Sequence, residues 1–303
     1  MQAASNHRFQ GPVITKNMSN KLSTILVGVD LSEPSFNAVH TATQLAAKEN
    51  ARLYLVYAHE TVFERIVMSK KFPEIIAPNA SILTAMASDI SRKSGVKTEV
   101  ITEDGNAAEL ILRTAVSSET DLVVMGTYGA SGYRNGYTGT TAYTVAKYAP
   151  CPVLLVPGGR QWSAFNKPIY PVRPVVTAMR HYPVIRKFIE PKSSLLVFGI
   201  ARRADEKDEN IMRDTLSLIE DDVTNDQVSV SFDWSTDNDV SHNILSQAEK
   251  NRSDIIILTT AIDVSNKQFF IGPIGHYVIH NSRIPVLVIN KVNNHTLSQV
   301  RSA

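Results

Sequence analysis

The chain has 303 residues, 43% hydrophobic and 20% charged, with a formal net charge of +2 at pH 7. That length predicts two domains of ordinary size, at roughly 100–200 residues each. The small charge and the lack of a basic block interleaved with aromatics argue against a nucleic-acid partner. No run of about 18 apolar residues is present to span a membrane, and Cys151, the single cysteine, allows no intrachain disulfide.

In chain order, residues 1–20 are polar and lack the apolar core of a signal peptide, so they read as a flexible extension. Met18 opens MSNKLSTILVGVDLSEPS, which has the character of a domain start. Apolar, β-branched runs predict strands over Thr24–Val29, Arg52–Ala58, Lys97–Thr102, Leu122–Gly126 and Val153–Val156. Amphipathic stretches between them predict helices over Pro34–Glu49, Glu74–Ser94, Ala107–Ser118 and Thr140–Tyr148. Gly158, Gly159 and the polar residues to Asn166 read as a linker. Strands follow over Ile169–Val172, Ser194–Ile200, Val228–Asp233, Ile255–Leu258 and Val286–Ile289.

The last third repeats the middle of the chain at a fixed separation of 133 positions. Asp121–Met125 corresponds to Asp254–Leu258, and Pro152–Val156 to Pro285–Ile289. Each copy reads β-α-β-α-β-α-β-α-β. Strands apolar on both faces, alternating with amphipathic helices, predict parallel sheets covered on both sides. The expected fold is therefore α/β, two tandem five-stranded parallel-sheet sandwiches of the Rossmann-like kind. Their expected limits are 21–157 and 167–292, joined by the linker 158–166 and followed by a tail, 293–303. Each copy ends in an apolar strand. Val153–Val156 is expected to meet Val286–Ile289 within one chain, covering two sheet edges in a pseudo-dimer, and a homodimer of such pairs stays open.

Five of the fourteen glycines, Gly126, Gly129, Gly132, Gly136 and Gly139, crowd between the strand ending at Gly126 and the helix starting at Thr140. Strand, glycine loop and helix N-terminus make a phosphate cradle. Glycine admits close approach of a ligand, and the free N–H groups of the helix end face an anion. A Walker loop is excluded because no lysine precedes Thr140, and the dinucleotide fingerprint because the first pair is Gly126-x2-Gly129. The spacing Gly126-x2-Gly129-x9-Gly139-Thr140 resembles the nucleotide-binding signature of the universal stress protein family in its ATP-binding branch, at all four positions. The flanks Gly105–Glu109 and Ala149–Leu154 agree with it as well.

The resemblance implies that Asp30 bonds the ribose or adenosine and that Ala58 lines the adenine pocket through its backbone. It implies that Gly126, Gly129, Gly139 and Thr140 hold the phosphates. Asp30 next to Ser32 also reads as part of a helix cap, and Arg134 as a phosphate clamp or a solvated loop cation. In the second copy Gly126 becomes Thr259, Gly129 becomes Ile262, Gly139 is kept as Gly272, Thr140 becomes Pro273 and Asp30 aligns with Arg173. A branched side chain and a missing donor predict a second domain without this nucleotide site.

His276 and His280 share a helix face at i, i+4, yet no convergent carboxylate completes a metal site, and they read as surface or interface. His59 flanks the expected pocket. Cys151, between Pro150 and Pro152, reads as a packed core residue, and the run Arg202–Asn210 as a solvated helix entrance. The resemblance implies a cytoplasmic stress-response sensor or switch that binds an adenine nucleotide, ATP with or without Mg²⁺, and signals to an unnamed protein partner. Two other functions stay open: a slow Mg²⁺-dependent ATP hydrolase, whose turnover would need Asp30, and a nucleotide-free interaction scaffold.

Overall fold

The computed structural model describes residues 21–59, 78–127, 140–201, 206–236, 239–259 and 272–289. In the first half the strands are β1 (Thr24–Gly28), β2 (Arg52–His59), β3 (Thr98–Asp104), β4 (Leu122–Gly126) and β5 (Val153–Val156). Its helices are α1 (Glu33–Glu49), α2 (Pro78–Ser94), α3 (Ala107–Ser117) and α4 (Thr140–Tyr148). The second half has β6 (Pro168–Val172), β7 (Ser194–Ile200), β8 (Ser229–Ser235), β9 (Ile255–Thr259) and β10 (Val286–Ile289). Its described helices are α5 (Tyr182–Ile185), α6 (Glu206–Ser217), α7 (Glu220–Asn225), α8 (Val240–Lys250) and α9 (Pro273–Asn281).

Local chemistry sets the helix ends. Ser32 caps α1 by accepting from the Ser35 N–H, with Pro34 in the first turn, where its missing donor costs nothing. Asn50 ends the helix in the left-handed region, its N–H bonded to the Ala46 carbonyl. Asn106 caps α3 through Glu109 N, and Asp239 caps α8 through His242 N.

The ten described strands lie in one sheet, in the order β3-β2-β1-β4-β5-β10-β9-β6-β7-β8. Each half keeps the same doubly wound order and parallel pairing. The halves join where β5 and β10 run antiparallel, with Leu154 opposite Leu287. Both strands are four residues long and wholly buried. Pairing them removes two apolar edges that would otherwise template aggregation, as the two apolar terminal strands predict.

Successive residues of a strand point to opposite faces, and the sheet accordingly carries two cores. One face buries Val27, Val124 and Leu154 with Ala38, Ala42 and Leu45 of α1, Leu83 of α2 and Met212 of α6. The other buries Leu26, Val123, Met125 and Leu155 with Leu110 of α3, Ala142 and Val145 of α4, Ile244 of α8 and Val278 of α9. Residues 158–166 are tied into the first core: Trp162 and Phe165 are buried. Gly159 N also donates to the Glu33 carboxylate at 2.8 Å.

One element departs from the expected repeat. The seventeen-residue α1 has as its counterpart only the four-residue α5, preceded by turns. Here Ala178, Arg180, Tyr182 and Val184 each bond the carbonyl three residues back, a tighter winding than an α-helix. Pro174 and Pro183 supply no donor to a regular helix.

Candidate functional site

Gly28 pairs with Val56 of β2 on one side and with Met125 of β4 on the other. Two residues further on, Asp30, Ala58 and Thr127 therefore stand level at the carboxyl ends of three adjacent strands. The ladders run on to that level, through Val29 N to Val56 O at 2.9 Å and Thr127 N to Val156 O at 3.1 Å. β1 lies at the point where the strand order reverses, and open α/β sheets take their ligands in the crevice at such a switch. The register thus gathers Asp30, Ala58 and the end of β4 on one rim. Gly129, Gly139 and Arg134 lie outside the described residues, and α4 begins at Thr140.

Asp30 follows the strand in a tight turn. Its Oδ1 accepts from the Ser32 amide at 3.0 Å and from the Ser32 hydroxyl at 2.5 Å. Leu31 between them has φ of 62°, a left-handed conformation that non-glycine residues adopt at a cost. The Ser35 hydroxyl donates to the Ser32 carbonyl at 3.0 Å and closes the turn onto α1. The same residue therefore both braces the cap of α1 and stands at the switch point.

Gly126 has a packing role that spacing alone does not disclose. A Cβ there would lie 2.8 Å from Pro34 C and 2.9 Å from Ser35 N. The bare Cα lets the first turn of α1 rest on β4, so this glycine faces the α1 side of the sheet. Side-chain alternation then turns its neighbour Thr127 to the other face, where Val123, Met125 and the buried residues of α4 pack. Thr127 is 2% exposed, and its hydroxyl has no hydrogen-bond partner. The glycine spacing does not report Thr127, although the parity Val123–Met125–Thr127 is legible in the sequence.

On β2, Ala58 packs against that same α4-side core. His59 is in register with Asp104, and its carbonyl accepts from Gly105 N at 3.0 Å. Its ring meets Tyr57 edge-on at 5.1 Å.

The second half presents a different rim. Pro168 pairs with Ile255 as Ile25 pairs with Leu122, which sets Arg173 at the place of Asp30 and Thr259 at that of Gly126. By the register of β7, Ile200 stands for Ala58. Thr259 is buried and bonded to the Tyr170 hydroxyl, which also donates to the Ala178 carbonyl at 2.9 Å. Burial pushes the Tyr170 phenol well above the usual tyrosine range, while the Thr259 bond acts in the opposite sense. Gly272 caps α9, whose first residue is Pro273, and Ile262 lies outside the described residues. Because β5 and β10 are antiparallel, the two rims lie on opposite edges of the sheet.

His276 and His280 belong to the junction. Their rings stack in parallel at 6.5 Å, and Tyr143 of α4 meets His276 edge-on at 5.1 Å. Burial, and then the charge of His280, lower the His276 pKa. Among the described residues no group of three His, Cys, Asp or Glu is gathered to hold a metal ion, and no helix is long and apolar enough to cross a membrane. Cys151 is buried, and it forms no disulfide among the described residues.

Fold and rim define a doubly wound α/β protein whose ligand crevice would lie at the carboxyl ends of the strands. The model of the universal stress protein family matches residues 21–157. A universal stress protein of Thermus aquaticus is 32% identical over 134 residues, 44% of this chain and 97% of that protein. Another, from Bacillus subtilis, is 26% identical over 153 residues, 46% of this chain and 99% of that protein. The chain belongs to the universal stress protein family. Over both halves together, the crystal structure of a universal stress protein from Archaeoglobus fulgidus shares the fold, with a TM-score of 0.65 at 17% identity, over 90% of this chain and 97% of that one. A putative universal stress protein from Pseudomonas aeruginosa gives 0.64 at 15% identity, over 93% and 98%.

Proposed function

We propose that the first half binds an adenine nucleotide, ATP, at the carboxyl ends of β1, β2 and β4, and acts as a cytoplasmic stress-response switch. The observation that carries this reading is the level placement of Asp30 and Ala58 beside the segment Gly126-x2-Gly129-x9-Gly139-Thr140, whose end opens α4. Asp30 is the acceptor for the sugar hydroxyls, and the Ala58 backbone bonds the adenine. Gly129, Gly139 and Thr140 take the phosphates at a helix end, where N–H groups and the dipole favour negative charge. Gly126 contributes main chain only, since α1 fills the space beside its Cα. The bound nucleotide brings a charged phosphate tail, and a divalent cation would arrive on those phosphates.

An orphaned buried hydroxyl, that of Thr127, fits a ligand rich in oxygen atoms. The second half, with Arg173, Thr259 and Pro273 at the matching places, serves as a structural partner across β5–β10. The test is direct. Purified protein is denatured, and the supernatant is chromatographed for adenine nucleotides; one nucleotide per chain is expected. Replacement of Gly129 by Val should remove it with the fold retained, as read by circular dichroism. A nucleotide-free wild type that also fails to bind added ATP overturns the reading.

A further inference from the structure

We infer that the Thr127 hydroxyl is a phosphate donor of the nucleotide site, a position that the glycine signature does not include. The inference rests on the adenine-nucleotide reading above. Thr127 follows β4 directly, its N–H still in the ladder to Val156 at 3.1 Å. It stands level with Asp30 across the switch point, and alternation turns its side chain to the face where α4 lies. The residue is 2% exposed, yet its Oγ1 has no partner.

Buried hydroxyls are nearly always hydrogen-bonded, and one left unpaired costs about 1–3 kcal/mol. A purely structural role favours valine here, the same shape without the polar atom. A hydroxyl kept at such a cost, one residue past a rim strand and on the side of a helix N-terminus, belongs to a state in which an acceptor reaches it.

The acceptor is an anion oxygen. Asp30, at the end of β1, brings negative charge, which suits sugar hydroxyls. Thr127 stands one strand over, at the end of β4, whose chain leads into α4, where the helix dipole favours negative charge. A hydroxyl donating to a phosphate oxygen makes a charge-assisted bond, stronger than a neutral one. Thr127 is therefore a binding residue that discriminates the phosphorylated nucleotide from the nucleoside.

The isosteric variant Thr127→Val tests this in the full chain by titration calorimetry with ATP and, separately, adenosine. ATP affinity should fall about tenfold or more, as expected for a bond to a charged group. Adenosine affinity should stay within twofold. The melting temperature of the ligand-free protein should hold or rise, because the unpaired buried atom is gone. Thr127→Ser, which keeps the hydroxyl, should restore most of the ATP affinity. Unchanged ATP binding in Thr127→Val, with wild-type protein binding normally, overturns the role of Thr127 and leaves the nucleotide reading standing. An equal loss with adenosine also overturns the phosphate role. Wild-type protein that binds neither ligand removes both proposals.

Discussion

The two halves share a sheet order, a register and a pair of cores, yet their rims are built from opposite choices. In the first half a seventeen-residue α1 presses its first turn onto β4, and only glycine at position 126 leaves room. In the second, the matching helix has only four residues, and Thr259, at the place of Gly126, is bonded to the buried Tyr170. The scaffold therefore tolerates loss of the rim, because burial along the strands is what holds the sheet. What separates the two rims is how the segment after the first strand of each half packs.

Exchanging the two rim residues should break the comparison most sharply. Gly126→Thr drives a branched Cβ into the Pro34 and Ser35 backbone, which cannot rotate away. The cost should be about 3 kcal/mol, read as a lower denaturant midpoint. Thr259→Gly loses a buried methyl and the bond to Tyr170, while Tyr170 keeps Ala178 as acceptor. That change should cost about 2 kcal/mol. A first half that accepts threonine at 126 without loss would show that α1 is not seated by this glycine.

A second symmetric pair sharpens the comparison at the opposite ends of the strands. Asp121 Oδ2 accepts from Ser23 N at 2.8 Å and Thr24 N at 3.1 Å, tying the entry of β4 to that of β1. Asp254 repeats the clamp on Asn166 N at 2.6 Å and Lys167 N at 3.0 Å. Removing either carboxylate as alanine should cost about 1.5–3 kcal/mol, the range for bonds to charged groups. Asp254 carries a pH response of its own. Burial, partly offset by the backbone bonds, holds the Asp254 carboxyl above the usual range. With the folded pKa raised, the unfolded chain ionises first, so this group's contribution is largest in acid and declines as pH rises past the unfolded value of about 3.9. Relative to Asp254→Asn, wild-type stability should therefore decline between pH 3 and pH 6 in urea titrations. A difference that grows with pH would mean that the Asp254 carboxyl is shifted in the opposite sense.

Much of this fold is legible in the sequence. The apolar runs gave β4, β5, β7 and β10 at their observed limits, because strands buried on both faces leave little else for such residues to do. The meeting of Val153–Val156 with Val286–Ile289 followed from two apolar edges needing cover. The shrunken helix after β6 was not legible. Residues 174–190 are apolar enough to continue a helix, and the winding that replaces it depends on where Pro174 and Pro183 fall and on Tyr170 capturing the Ala178 carbonyl. The packing role of Gly126 was not legible for a related reason. Its need for space comes from α1, ninety residues earlier in the chain, and no local spacing reports a tertiary contact.

The smallest expected effect lies at the seam between the halves. Tyr143 of the first half and His276 of the second meet edge-on, with His280 stacked beyond. Burial disfavours the imidazolium at His276, and a charged His280 disfavours it further. The folded pKa is thus depressed, and the unfolded chain, with an imidazole pKa of about 6.5, takes up the proton first as pH falls. This contribution to stability is present above that value and is lost below it. The ring is partly solvated, so the effect is screened and small. Between pH 7.5 and 5.5 wild-type protein should lose on the order of 2 °C more in melting temperature than His276→Gln. Identical slopes for the two proteins would mean that His276 titrates alike folded and unfolded, and that the junction rests on its strands alone.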